Sequence, residues 1–347
     1  MDVVGLRKLS STNAFVVTDL EGAPSFGIVR SAPKILQGGA KDLARSMTYT
    51  FASFEMQRGG ASGGINATPE ERDEALNNFV DEIHDDVSTG MLGLNAGKGI
   101  LPSSFQGLYD VDTRSAMRFE FHGEDTLETY LTALGPVLSA DRIAALEGKT
   151  VAIEGFGEHG PAMVDLVEER GGKLISLSTL SGSITDSSGL NANDLRERWN
   201  ANGIDFVKSS DGNGDPAWKV FQSGADILFA GSKMGAVNHL TAEKLDIVAL
   251  VPHQPIPFTA RALAMLQRKG TDVVPDFIAV AAPIFAAWPG ESTDSSQIIQ
   301  LAEDRIGAVI DEVVKHEDGL FLGACYRAES FLGTWQESPL FGRPLAS

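Results

Sequence analysis

The sequence predicts a two-domain α/β protein whose C-terminal half is a doubly wound parallel sheet. Three observations carry that expectation. At 347 residues the chain is long for one hydrophobic core and suits two. Short apolar runs alternate with helix-patterned segments from 150 to 285, the order that builds parallel sheets covered by helices. Val151-Ala-Ile-Glu154 then runs into Gly155-x-Gly157-x-x-Gly160, with Met163, Leu166 and Val167 following at helical spacing. That is a strand, a tight turn and a helix.

Taken in order, residues 14–18 and 26–29 are strand candidates. Leu43, Met47 and Phe51 recur at spacing four and predict a helix over 41–51. Arg58-Gly-Gly-Ala-Ser-Gly-Gly-Ile65 follows, with four glycines in six residues. It is expected on a domain surface as a backbone held tightly against something. Thr68-Pro69-Glu70-Glu71 has the form of a capping box with proline at the first helical position. Leu76, Phe79, Val80, Ile83 and Val87 continue that helix as one apolar stripe. Residues 90–108 are expected as glycine-rich loop, ended by Asp110-Val-Asp-Thr113. Leu127, Leu131 and Leu134 mark another helix, and Leu146-Glu-Gly-Lys-Thr150 is the expected domain junction.

Beyond the glycine turn, residues 173–177 sit at the right distance for the next parallel strand. Residues 191–199 predict a polar helix, and 225–230 and 247–251 predict buried strands. A helix is expected over 258–267, a further strand from Pro275 to Ile278, and a long helix over 298–314. The domain boundaries that follow are 1–145, 146–290 and a helical C-terminal segment, 291–347.

Composition narrows the partners. A net charge of −19 argues against nucleic acid and anionic membranes, both of which need a basic face. Cys325 is the only cysteine, so no internal disulfide or thiolate metal cluster forms. No His-Glu-x-x-His or similar spacing occurs among the six histidines, and no metal is expected. Asp2 and Leu6-Arg7-Lys8 give no signal peptide, and no apolar run approaches the roughly 20 residues of a membrane span. The expectation is a soluble cytoplasmic protein.

The glycine turn predicts dinucleotide binding. Gly155 permits the sharp turn, Gly157 lets the backbone approach a pyrophosphate, and Gly160 lets the helix lie close on the strand. Amide N–H groups at the helix start then face the phosphates. Phe156, Glu158 and His159 complete the turn. Gly97-Lys98 is no P-loop, since Leu92 stands at its first glycine position and Gly99 at its serine/threonine position.

Several blocks together resemble the glutamate/leucine/phenylalanine/valine dehydrogenase family. They are Leu43-Ala-Arg-Ser-Met-Thr-Tyr-Thr50, Gly59-Gly-Ala-Ser-Gly-Gly-Ile65, Asp110-Val-Asp-Thr-x-x-x-Met117, Leu146-Glu-Gly-Lys-Thr-Val-Ala-Ile-Glu-Gly-Phe-Gly157 and Ala225-Asp-Ile-Leu228. Their order and separations agree with the family from about residue 14 to 290. The resemblance implies an N-terminal α/β substrate and assembly domain and a C-terminal Rossmann domain for NAD or NADP. It also implies a cleft between them, a last helix returning to the first domain, a small-molecule substrate and a homo-oligomer.

The resemblance also implies oxidative deamination, with two lysines twelve residues apart and an aspartate for proton transfer. Asp110 falls on the aspartate. Thr50 and Ser62 fall on the lysines with the spacing of twelve intact, so both amines are gone. Hydroxyls bring no positive charge and no amine base. Thr179 stands where the family has an aspartate for the adenine ribose. Ser178, Thr179 and Ser181 leave NAD against NADP open. Two family asparagines align with His253 and Val280.

Three readings of the function therefore compete. The first is an NAD(P)-dependent oxidoreductase of amino-acid dehydrogenase type with an altered site, using Asp110 and one of Lys98, Lys233 or His253. The second is a pseudoenzyme that binds a dinucleotide or metabolite. The third is a serine hydrolase at Ser62, from the Gly60-Ala-Ser62-Gly-Gly64 match to a nucleophile elbow, which requires strand, turn and helix around the serine.

Overall fold

The computed structural model describes residues 5–208, 214–337 and 342–345, so Asp2 lies outside the described residues. Contacts divide the chain into two compact units, one of residues 1–114 with 325–345, the other mainly 115–324.

In the first unit, β1 (Gly5–Lys8), β2 (Ala14–Thr18), β3 (Ser25–Ala32), α1 (Gln37–Ser53), β4 (Gly59–Asn66), α2 (Arg72–Ser88), β5 (Leu92–Ala96) and α3 (Gln106–Tyr109) follow in order. The five strands form one sheet, β1-β2-β4-β3-β5. β3 runs parallel to β4 and β5, while β2 is antiparallel to β1 and β4. Side chains alternate across a strand. Val16 accordingly joins the α2 layer of Leu76, Phe79 and Ile83, whereas Phe15 and Val17 join Ala40 and Ala44 of α1. Phe79 and Ile83 are both 0% exposed, and burial of side chains this size stabilises by about 1.5–3 kcal/mol each.

Three expectations for this unit change. Residues 58–65 are not a surface loop but β4, a central strand. Its glycines let α1 lie directly on the sheet, for a Cβ on Gly60 would sit 1.8 Å from the Ala44 carbonyl oxygen. Glu71 does reach back to the Thr68 amide (3.3 Å) and hydroxyl (3.1 Å). Pro69 to Glu71 nevertheless form a turn, and the helix starts at Arg72. The expected loop at 90–108 contains β5, held by parallel pairing to β3.

The second unit opens with the hairpin β6 (Phe121–His122) and β7 (Asp125–Thr126). It continues with α4 (Leu127–Ala144), β8 (Thr150–Glu154), α5 (Gly160–Glu169), β9 (Lys173–Thr179), β10 (Gly182–Thr185), α6 (Ala192–Asn202) and β11 (Ile227–Ala230). Then come α7 (His239–Lys244), β12 (Ala249–Pro252), α8 (Ala260–Arg268), β13 (Asp272–Val273), α9 (Asp276–Ala279), α10 (Pro283–Ala287), α11 (Ser295–Val313) and α12 (Leu320–Leu332). The unit boundary at Cys325 falls within α12.

Its six strands take the order β10-β9-β8-β11-β12-β13. All pair in parallel except β10, which turns back antiparallel on β9. The expected doubly wound sheet is present with one reversed edge strand, because only Leu180 and Ser181 join β9 to β10, too few for a parallel crossover. The strand order reverses between β8 and β11, and in such sheets ligands bind outside the carboxyl ends of the strands at that switch point.

The expected strand at Pro275 to Ile278 is instead the short helix α9, and the last strand is β13. The Asp276 carboxylate accepts the Ile256 amide at 3.0 Å, fixing that turn. The division at Arg114/Ser115 also places α4 with the nucleotide-type sheet rather than before it. α4 packs on α5, α11 and β12, through Leu131, Leu134 and Val137, all 0% exposed. Of residues 291–347, α11 stays with the second unit and the part from Cys325 groups with the first. Among the described residues no helix is long and apolar enough to cross a membrane, and no group of potential metal ligands assembles.

Candidate functional site

The carboxyl end of β8 builds the most site-like feature of the second unit. Gly155 takes φ +94°, and a Cβ there would stand 2.4 Å from the Ser232 nitrogen. The Gly155 and Phe156 amides both donate to the Ser178 carbonyl, at 3.1 and 2.7 Å. Phe156 then drops into an aromatic cluster with Trp199 and Phe206, ring centroids 5.7 and 5.4 Å away. Gly160 is required by that ring, because a Cβ on it would come within 2.8 Å of Phe156.

Gly157 differs. A Cβ there would meet nothing nearer than the Gly155 oxygen at 3.9 Å. No packing inside the protein demands a glycine at this position. The amides of Gly157, Glu158, His159 and Ala162 find no acceptor among the described residues, as the open first turn of a helix provides. Glu158 is exposed. The turn thus offers uncovered N–H groups and clear space above them, which fits the diphosphate of a dinucleotide.

Two histidines lie behind it. Nε2 of His253 is 2.8 Å from the Glu154 carbonyl and Nδ1 is 2.9 Å from Nε2 of His159. A carbonyl only accepts, so His253 carries its proton on Nε2 and leaves Nδ1 bare. His159 therefore donates from Nε2. Burial, and then the charge of His253, push His159 down to about 3, and burial lowers His253 as well. Both rings are neutral near pH 7. The Glu154 carboxylate adds a clamp, accepting the amides of Gly231 (3.1 Å) and Ser232 (3.0 Å) in the turn after β11.

Ser178 and Thr179 are buried at the end of β9. The Thr179 hydroxyl donates to the Ile204 carbonyl at 2.7 Å and accepts the Ser181 amide at 3.0 Å. Its bonding capacity is used within the protein. Ser181 in turn donates to the Asp205 carboxylate. Val280 caps α9 with a backbone bond to Asp276, and Lys233 is exposed.

In the first unit, Thr50 of α1 and Ser62 of β4 are 1% and 0% exposed. Thr50 donates to the Ser46 carbonyl at 3.1 Å, while the Ser62 hydroxyl has no hydrogen-bond partner among the described residues. Asp110 is exposed behind α3 and accepts from Gln106 at 2.7 Å, and Lys98 is exposed. No hydrogen bond joins Thr50, Ser62 and Asp110 among the described residues. The nucleophile elbow is overturned: Gly60 to Gly64 are continuous strand, paired on both sides. An elbow needs a sharp turn that exposes its serine.

The sequence marked the glycines, Ser178, Thr179 and both histidines of this region. It did not mark the Glu154 clamp or Asp205. An acid immediately before the first glycine was the available signal for the clamp, and nothing local distinguished Asp205.

Comparisons with known proteins agree with this geometry. Residues 128–289 match the sequence profile of the Glutamate/Leucine/Phenylalanine/Valine dehydrogenase family. The NADP-specific glutamate dehydrogenase of Saccharolobus shibatae is 24% identical over 318 residues, covering 86% of this chain and 75% of that protein. Glutamate dehydrogenase A2 of Halobacterium salinarum is 24% identical over 331 residues, 86% of this chain and 78% of that one. Among solved structures, the hetero-hexameric glutamate dehydrogenase of Thermus thermophilus in its leucine-bound form gives a TM-score of 0.78 at 20% identity, covering 95% and 86%. L-tryptophan dehydrogenase from Nostoc punctiforme gives 0.63 at 17%, covering 96% of both chains. The profile over residues 128–289, the relatives and the two-unit fold thus agree in their likeness to the glutamate/leucine/phenylalanine/valine dehydrogenase family.

Proposed function

We propose that the protein is an NAD(P)-dependent oxidoreductase of the amino-acid dehydrogenase type that no longer deaminates the common amino acids. The observation that carries this reading is the turn at Gly157, open above and lined by unpaired amides, while Gly155 and Gly160 are fixed by packing. Gly157, Glu158, His159 and the first turn of α5 would hold the diphosphate. A bound nicotinamide supplies hydride acceptance or donation. His253, neutral and donating to Glu154, holds the adjoining strand ends in place.

The altered substrate follows from Thr50 and Ser62. Neither hydroxyl clamps a carboxylate with charge, and neither replaces an amine base, a loss of about 10²–10⁴ in rate. Asp110, exposed and bonded only to Gln106 among the described residues, is the acid–base group retained. The same two replacements favour a second reading, a non-catalytic binder of the same dinucleotide. We carry over a homo-oligomeric assembly and a cytoplasmic setting; the hetero-hexameric relative supports assembly without its being homomeric, and the lone, buried Cys325 supports the setting.

Titration of NADH and NADPH, followed by fluorescence, tests the reading on the wild type and on Gly157→Trp. Tight binding that the tryptophan abolishes is expected; no binding of either nucleotide would defeat it. Turnover of glutamate, leucine, valine and phenylalanine should be negligible, and robust turnover of any would defeat the altered-substrate part. Hydride exchange from a screened substrate separates the enzyme from the inactive binder.

A further inference from the structure

We infer that Asp205 takes over recognition of the adenosine ribose and makes NAD(H), not NADP(H), the preferred dinucleotide; the inference rests on the dinucleotide reading above. In dinucleotide-binding sheets an acid at the end of the second strand accepts the ribose hydroxyls. Thr179 stands at that point and cannot serve, since its hydroxyl is spent on Ile204 and Ser181. Those same bonds bring a different carboxylate to the place. Thr179 fixes the short helical turn 203–207 through the Ile204 carbonyl, and Ser181 donates to Oδ1 of the next residue, Asp205.

The Asp205 carboxylate is only half committed. Its two partners, Ser181 and Lys208, both contact Oδ1, the lysine at 2.8 Å. Among the described residues Oδ2 has no partner, and the side chain is 55% exposed. The hydrogen bonds from Lys208 and Ser181 hold the carboxyl below the usual range, so it is ionised near neutral pH. One oxygen is anchored while the other accepts a hydroxyl. Leu180 and Ile204, 66% and 46% exposed, flank the spot with the apolar surface that an adenine ring covers. A 2′-phosphate would bring about two negative charges against this carboxylate. Among the described residues Lys208 is the sole cation paired with Asp205.

The test is fluorescence titration of NADH and NADPH against the wild type, Asp205→Ala, Asp205→Asn and Lys208→Ala, with circular dichroism confirming the fold. The wild type should favour NADH by about tenfold or more, the size of one charge-assisted hydrogen bond. Asp205→Ala should weaken NADH and erase the preference. Asp205→Asn should mainly strengthen NADPH, by removing the repulsion while keeping a polar partner. Lys208→Ala should leave NADH favoured. Equal affinities in the wild type, or Asp205 variants with an unchanged ratio, would overturn the inference while leaving the dinucleotide reading intact. A wild-type preference for NADPH that Lys208→Ala abolishes would overturn it in favour of the lysine. Failure of the wild type to bind either nucleotide would defeat the dinucleotide reading and the inference together.

Discussion

β4 and the turn after β8 are two glycine-dense stretches of the molecule, and they use glycine for opposite ends. In β4 the missing side chains are replaced by protein. Gly60 admits the backbone of α1, and Gly64 admits the rings and methyls of Phe15 and Ile35. In the β8 turn, Gly155 and Gly160 are likewise filled by Ser232 and Phe156, but Gly157 is not. Glycine density therefore reports close approach without naming what approaches. Only the contents of the space above each Cα separate a packing glycine from a ligand glycine.

The sharpest break of this comparison is Gly60→Ala. Its added methyl overlaps the Ala44 carbonyl and has no rotamer by which to escape. It should cost about 3 kcal/mol or more, or prevent folding, as seen in overpacked cores. Urea denaturation reads this, and wild-type stability would show that α1 slides freely over β4.

Acid is the next lever, and at the turn it acts through His159. His159 is held near 3 in the folded chain against 6.5 unfolded. The unfolded chain therefore takes up the proton first as pH falls below 6.5. The contribution of His159 is complete above that value and declines toward pH 3 by roughly 1.4 kcal/mol per unit. Denaturant melts at pH 7, 6 and 5 should show the slope, and His159→Phe should flatten it. An unchanged slope would mean that the pair is not buried neutral.

A smaller effect is expected at Ser62. Its hydroxyl is buried without a partner among the described residues, so Ser62→Ala should be neutral or stabilise by up to about 1 kcal/mol. A loss of more than that would reveal a partner for the hydroxyl. The smallest change in stability belongs to Gly157→Ala, within about 0.5 kcal/mol, as for substitutions away from packing. Denaturant melts measure it, and a large loss would return Gly157 to the packing class and remove the main support for an open phosphate turn.

The legible parts of the fold were those with a local cause. The α2 stripe of Leu76, Phe79 and Ile83, the strand into Gly155 and the helix after Gly160 all follow from period and turn chemistry. Residues 58–65 were misplaced because strand pairing to β2 and β3 overrides the weak strand preference of glycine. Pro275 to Ile278 was misplaced because a short apolar run does not distinguish strand from helix. Of the candidate site, the glycines and His253 were legible by position. Their division into packed and open was not, nor was the pairing of His159 with a ring 94 residues away.

By itself, then, the sequence determined the two-unit α/β plan, the dinucleotide-type turn, the likeness to the dehydrogenase family and the hydroxyls at Thr50 and Ser62. Each is written in spacing or in residue identity. The tertiary structure alone decided that Gly157 is open, that Ser62 is sealed within a strand, that Thr179 is spent, and that Asp205 stands beside it. These depend on distances between residues far apart in the chain, and such distances are fixed by packing rather than by any local pattern.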